Sequence, residues 1–349
     1  MSRAAMGGRG RERGIALAAA IFALVALAAL LAGLWFAALQ EYRVGGNVVS
    51  DRRAFDAAEA GLDAALAGWN AGALNRLAVN GTAAFSGALA GGVATYAGVV
   101  RRLGPWLFLV RATGSDARGS SSRTLAAVAR LSPLRLGVEG ALVASGPVRL
   151  GAGAFVDGLA ADSDGSCASA VPAAGIVVGD GTLLDMSGCP AGDCVRGSPA
   201  WMVDKGIEHV PVPLLGEAGW ASLVAAAETI GPSGPGPAGS PVWFAPGDLN
   251  LPAGVPDGPV VLLVQGSLVV ETGAQLTGLV VVRGTLIVRG AGGSFLGSVL
   301  AGKVELSAVG SSRAAVLHSR CAVEQALIAA APARRLRERS WTASYPDAP

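Results

Sequence analysis

The hydropathy pattern divides the chain into three textures. Ile15 to Leu39 (IALAAAIFALVALAALLAGLWFAAL) is apolar on every face and carries no charge. As a helix this run spans ~37 Å, enough to cross a hydrocarbon core of roughly 30 Å with some tilt. Beyond Gln40 the pattern becomes amphipathic, with Phe55, Leu62, Leu66 and Trp69 recurring at helical spacing. They form an apolar stripe, with Asp51, Arg52, Asp56 and Asp63 expected on other faces. The spacing predicts one helix from Ile15 to about Asn75, weak at Gly45-Gly46 because two glycines adjoin there.

From residue 93 the period shortens to that of strands. VATYAGVV (93–100), WLFLVRAT (106–113) and RTLAAVARL (123–131) are separated by Gly104-Pro105 and by the Gly/Ser-rich segment 114–122. They predict a three-stranded antiparallel meander over 93–133, seated on the apolar stripe of the helix. From Leu136 short Val/Leu/Ile runs alternate with glycine, and an internal repeat emerges. Gly146-Pro-Val-Arg-Leu150 … Val156-Asp-Gly158-Leu159 aligns without a gap with Gly266-Ser-Leu-Val-Val270 … Leu276-Thr-Gly278-Leu279, and a third copy, Gly284-Thr-Leu-Ile-Val288 … Phe295-Leu-Gly297, needs one inserted residue. A fragment, Gly181-Thr-Leu-Leu-Asp185, lies between them. Repeats of about eighteen residues with glycine corners predict a parallel β-solenoid over 136–320, in which 141–188 and 259–308 stack as one body. Segment 189–247 reads as an excursion outside that body. It holds a short helix from Glu217 to Ile230 and the Pro/Gly linker 231–241. Ala322–Arg339 reads as a helix interrupted at Pro332, capping the open end of the solenoid, followed by a tail.

The fold class expected is therefore a membrane-anchored α+β chain. Its parts are a stub (1–14), a transmembrane helix (15–39), its amphipathic continuation (40–78), a meander (93–133), a β-solenoid (136–320) and a helical cap with tail (321–349).

Charge fixes the topology. Arg3, Arg9, Arg11 and Arg13 against Glu12 place the N-terminus in the cytoplasm and everything after Gln40 outside. In a bacterial cell that means the inner membrane and the periplasm. Eleven of the twenty-five core residues are alanine, and Ala29, Gly33 and Ala37 form a small-xxx-small row. Such a row lets another helix approach closely. A plain single-pass anchor and a cleaved secretory signal are the other readings of this segment.

The flanking residues carry a resemblance. Arg13-Gly14-Ile15-Ala16-Leu17 precedes the apolar run, and Glu41, Arg43, Asn47 and Asp51-Arg52 follow it. Ala54-Phe55 and Ala57-Ala58-Glu59-Ala60-Gly61-Leu62 come next. This order resembles the N-terminal module of PilX-type type IV pilus assembly proteins, which are minor-pilin-like, over about residues 11–70. The resemblance implies leader processing between Gly14 and Ile15, and other pilin-like subunits as partners of the helix. Ala19 stands where major pilins carry a glutamate, a departure shared with tip-type and PilX-type subunits.

The remaining composition narrows the chemistry. A net charge of +2 gives no long basic surface for nucleic acid. Fifty-one glycines and 5% aromatics suit a β-rich chain with frequent turns. Cys167, Cys189, Cys194 and Cys321 all follow the membrane run, and an even number in an oxidising compartment reads as two disulfides with three connectivities. The expected pairs are Cys189–Cys194 as a loop clip and Cys167–Cys321 as a longer tie. His209 and His318 and the cysteine spacing offer no metal site. No nucleotide-binding loop or nucleophile elbow is present. Asp162-Ser-Asp164-Gly165 has only the opening of a calcium loop, and Asp157, Asp162, Asp180 and Asp185 read as turn residues. No cofactor and no catalysis are expected. Two further readings stand beside the pilus one. One is a membrane-anchored scaffold whose solenoid self-associates, resembling bactofilin-type polymers. The other is a β-helix carbohydrate enzyme using paired carboxylates.

Overall fold

The structure is a computed structural model. It describes residues 12–159, 172–189, 193–208, 214–232, 240–253, 255, 258–271, 273–336 and 341–344. The first element is a single helix, α1 (Glu12–Ala67), 56 residues and therefore about 84 Å long. It runs unbroken through Gly45-Gly46 and stops before Gly68, earlier than the sequence suggests. A separate turn of helix, α2 (Ala71–Leu74), follows, its N-terminus capped by Asn70, whose side chain accepts from the Ala73 amide.

Next comes an antiparallel sheet built from β1 (Thr82–Ala88), β2 (Ala94–Arg102), β3 (Leu107–Asp116) and β4 (Ser122–Leu131), in that order. Strand β1 is an addition to the expected meander. Five of the seven residues of TAAFSGA are Ala, Ser or Gly, which favour strands little, and pairing with β2 from Thr82↔Arg101 to Ala88↔Thr95 makes it a strand.

The second sheet has fifteen strands, and all of its pairings among the described residues are parallel. The chain first lays down β5 (Gly140–Ala144), β6 (Val148–Leu150), β7 (Ala154–Asp157), β8 (Ala174–Val178), β9 (Leu184–Asp185), β10 (Val195–Arg196) and β11 (Trp201–Val203). After helix α3 (Gly216–Ala225) it continues with β12 (Glu228–Thr229), β13 (Val242–Ala245), β14 (Leu249–Leu251), β15 (Pro259–Val264) and β16 (Leu268–Val270). The last three strands are β17 (Ala274–Val288), β18 (Gly293–Leu306) and β19 (Ala314–His318). Partners lie 18 or 19 residues apart along the column Val242↔Val261↔Leu279↔Ser298.

The order in space is not the order in sequence. One row reads β12, β13, β15, β17, β18, β5, β8, β11, because Val299 of β18 pairs with Leu142 of β5. A second row reads β14, β16, β17, β18, β6, β9, with Val304 pairing Val148. The chain thus enters the stack in its middle and builds to one end. It then crosses back to the far end and fills in until β18 and β19 meet the strands laid down first. The repeat seen in the sequence reappears as one column, Leu268, Leu286, Val304 and Val148. The fragment at 181 enters one residue later than its alignment, with Leu184 rather than Leu183 opposite Val148.

Alternation along these strands makes two cores. Leu142, Ile176, Leu262, Val280 and Val299 point to one, enclosed among the strands. Val143, Val177, Leu263, Leu279, Val281 and Leu300 point to the other, where α3 and α4 (Arg320–Ala329) cover them with Trp220, Leu223, Val323, Ala326 and Leu327.

Two expectations are corrected here. Segment 189–247 does not lie outside the body: it supplies β10, β11, β12 and β13, and Cys194, Val195, Trp220 and Leu223 are buried. The C-terminal helix does not cap an end. It lies across the flank formed by β15, β17 and β18. Past Pro332, β20 (Ala333–Arg335) and β21 (Trp341–Ser344) add to the free edge of β4. The edge of β4 offers ladder partners that an isolated helix would lack, and Pro332 cannot continue a helix.

Candidate functional site: the projecting helix and its seat

Every residue of α1 from Ala16 to Val49 is exposed, so ~50 Å of the helix stands clear of the rest of the chain. It is long and apolar enough to cross a membrane. Leu17, Phe22, Leu34, Trp35 and Phe36 are each about two-thirds exposed or more. Ala29, Gly33 and Ala37 lie on this bare stretch, and nothing is within 4 Å of the place a Gly33 side chain would occupy. Gly14 and Ile15 fall in the first turns of α1, where only the backbone is described.

The distal part of α1 is seated on the antiparallel sheet. Leu62 is buried, and Phe55, Leu66 and Trp69 are half-buried around Phe108, Val110, Leu125 and Leu131. The closest contact comes from small residues that the stripe does not include. Ala54, Ala57, Ala58 and Gly61 are buried, and Gly114 of β3 lies directly beneath the first three. A side chain at Gly114 would overlap the Ala54 carbonyl and the Ala58 amide and stand 2.9 Å from Ala57 Cβ. Gly61 in turn admits the Tyr96 ring, which would lie 2.9 Å from an added Cβ. In the sequence Gly114 reads as the start of a turn. Its role is visible only once β3 is seen to extend to Asp116.

Two polar locks hold the seat. Arg123 on β4 makes a two-pronged ion pair with Asp51 on α1, its Nη2 donating to Oδ2 at 2.6 Å, while Ser121 Oγ donates to Asp51 Oδ1 at 3.3 Å. The Arg123 guanidinium holds the Asp51 carboxyl below its ordinary range. Asp51 therefore faces the sheet rather than lying away from it as the stripe alone suggests. At the other end, Trp69 meets Phe108 edge to face at 5.0 Å and donates from Nε1 to Asn75 Oδ1 at 2.8 Å. Asn75 is itself buried, and its Nδ2 lies 3.0 Å from the carbonyls of Ile328, Ala329 and Ala331. Ile328 and Ala329 end α4 and Ala331 lies just past it; the Ile328 carbonyl also accepts from the Ala331 amide at 3.1 Å. Asn75 thus ties the base of the projecting helix to the flank of the parallel sheet. Nothing in its sequence context distinguishes it from a loop asparagine.

Of the cysteines, Cys189 and Cys194 form a disulfide with Cα atoms 5.9 Å apart. Cys321 is disulfide-bonded, and Cys167 lies outside the described residues. Asp162, Asp164 and His209 also lie outside them. The other carboxylates considered for chemistry bind local backbone. Asp157, Asp180 and Asp185 accept from the amides of Leu159, Thr182 and Ser187 at 2.8, 2.9 and 3.0 Å. These amide donors hold the Asp180 and Asp185 carboxyls below their ordinary range. That is the wrong direction for the protonated acid of a glycosidase. Among the described residues no group of three or more His, Cys, Asp or Glu side chains could hold a metal ion.

No protein-family model matches the chain, and no curated protein matches it. Among solved structures, the crystal structure of the competence-associated pilin ComZ from Thermus thermophilus matches at 13% identity with a TM-score of 0.28. The match covers 84% of this chain and 98% of that one. At that score the superposition carries neither fold nor function from one chain to the other.

Proposed function

We propose that the chain is a type IV pilus assembly or minor-pilin-like protein of the bacterial inner membrane, with its N-terminus cytoplasmic and its folded part periplasmic. The observation that carries this reading is α1 itself, one continuous helix whose first half is bare and apolar and whose second half is seated on an antiparallel sheet. A plain anchor needs no rigid continuation into the folded part. A helix that must present its apolar half to other helices at a fixed angle does. The order of residues 11–70 supports the same reading. The row Ala29, Gly33 and Ala37 would be the contact with neighbouring pilin-like helices. The parallel stack is read as a β-solenoid, a rigid display body for contact with partners or surfaces, tied by Cys189–Cys194 and by a Cys167–Cys321 bridge. Gly14-Ile15 would be the processing site.

The test is Gly33→Leu, which keeps the segment apolar and able to insert while filling the groove that close helix packing needs. The expected result is loss of co-purification with other pilin-like subunits and an unchanged melting curve, because Gly33 touches nothing in its own chain. Undiminished co-purification would contradict the proposed contact row.

A further inference from the structure

The antiparallel sheet has one face on α1 and one face open, and the open face is basic. Register places Arg101, Arg111, Arg130 and Arg334 on it, all exposed, with no Asp or Glu at any strand position of that face among the described residues. Arg111 pairs with Val99, two residues from Arg101, so these two guanidinium-bearing positions lie about 8 Å apart on a diagonal. Arg130 and Arg334 are direct cross-strand partners, an arrangement that repels. Arg101 is held by Asn80 Oδ1 at 2.9 Å, and no carboxylate pairs with Arg111, Arg130 or Arg334 among the described residues. Val99 and Leu107, 40% and 39% exposed, lie between the arginines. A flat face that mixes arginine with apolar side chains is typical of protein interfaces.

The complementary charges are on the opposite side of the same two-layer unit. Asp56, Glu59 and Asp63 follow the i, i+3, i+7 spacing of one helix face, over ~10 Å, on the side of α1 turned away from the sheet. Asp56 pairs with Arg52 at 2.9 Å, and Glu59 and Asp63 have no partner among the described residues. We infer that the basic sheet face of one copy docks on the acidic face of α1 in a second copy of this chain.

The anchoring membrane is not a rival occupant. Asp63 stands ~36 Å along the helix from Leu39, and Arg111, three strand residues past the Arg123–Asp51 pair, stands ~28 Å from it, about three Debye lengths from the lipid. Single-stranded nucleic acid fits poorly too, since the strand positions of this face carry no aromatic residue for base stacking. The contact joins two different surfaces, so it is heterologous, and with a displacement along the axis it makes an open filament rather than a closed ring. Arg123 meets Asp51 at the start of β4, whereas Arg130 sits near its end. Arg130 and its partner Arg334 therefore lie farther along the helix than the carboxylates, while Arg111, opposite Ala126, lies about level with them, and docked copies are displaced along their shared axis. The inference rests on the reading of α1 as one of several parallel helices in a common membrane or filament.

The test uses the full chain in lipid vesicles, with donor- and acceptor-labelled copies and energy transfer as the readout. Arg111→Glu with Arg130→Glu, and separately Glu59→Arg with Asp63→Arg, should each weaken self-association at least about tenfold at low salt. An equal mixture of the two variants should restore it, because the intact basic face of one variant then meets the intact acidic face of the other, and the two reversed faces also meet. Raising salt should weaken the wild-type contact. Association unaffected by either reversal, or lost in both and not restored by mixing, would overturn the inference. Thermal melts of each variant separate loss of contact from loss of fold. If Gly33→Leu abolishes co-purification while the charge reversals change nothing, the helix-packing reading stands and this contact falls.

Discussion

Gly114→Leu is expected to unseat the projecting helix, at a cost of about 3 kcal/mol, the upper part of the usual range for overfilling a packed site. The reason is backbone, not side chain. The position of a Cβ on Gly114 is already taken by the Ala54 carbonyl and the Ala58 amide, and Ala57 Cβ closes the third side. None of these atoms can swing away without moving α1 as a body. Moving α1 strains the Asp51–Arg123 pair at one end and the Trp69–Phe108 contact at the other. Gly114→Ala should be destabilising as well, which separates this site from an ordinary strand glycine, where alanine is neutral or better. Denaturant unfolding of both variants measures the effect. An alanine variant as stable as the wild type would mean that helix and sheet are not in backbone contact.

Gly297→Val is expected to be of similar size and to act on the parallel stack. Gly297 has φ of +140°, a conformation that side-chain-bearing residues rarely adopt, and an added Cβ would overlap the carbonyl of Gly278 on the neighbouring strand. Gly278 pairs with Gly297 in the ladder and has φ of +123°. Strain and overlap together give about 3 kcal/mol or more. The consequence should reach beyond the local pair. Ser298 next door donates to the Gly140 carbonyl at 3.0 Å, across the seam where the last strands meet the first. Native-state hydrogen exchange should show protection falling at β18 and β5 together. Unchanged protection at β5 would mean that the seam is not a cooperative part of the stack.

The long helix was legible because a charge-free run and a helical stripe are both local signals. So were β2, β3 and β4, where Val, Leu and Phe alternate with smaller or polar residues between clear breakers. The glycine-marked repeat was legible as well, and it found the column through Leu268, Leu286 and Val148. What could not be read is non-local. Val148 sits two ladder steps from Leu286 although 138 residues separate them, because Val304 comes between, and no local pattern says that the first strands laid down end up beside the last. Segment 189–247 hides its strands for the same reason: Val195-Arg196 and Trp201–Val203 are too short to be strands alone and become so only against β7 and β8. Ala333–Arg335 reads as helix because arginine and alanine favour helices. The free edge of β4 decides otherwise. At the seat of α1, sequence found the large residues and missed the small ones. Leu62 and Trp69 announce themselves, whereas Gly114 and Asn75 have roles set entirely by what lies opposite.

The central claim is that α1 is a pilin-type helix rather than a simple tether. Mass spectrometry of the protein's own N-terminus, comparing sheared surface filaments with inner membrane, tests it most directly. The account predicts a chain beginning at Ile15, recovered in the sheared fraction. A chain that keeps Gly14 and the residues before it, and is found only in the membrane, would contradict it.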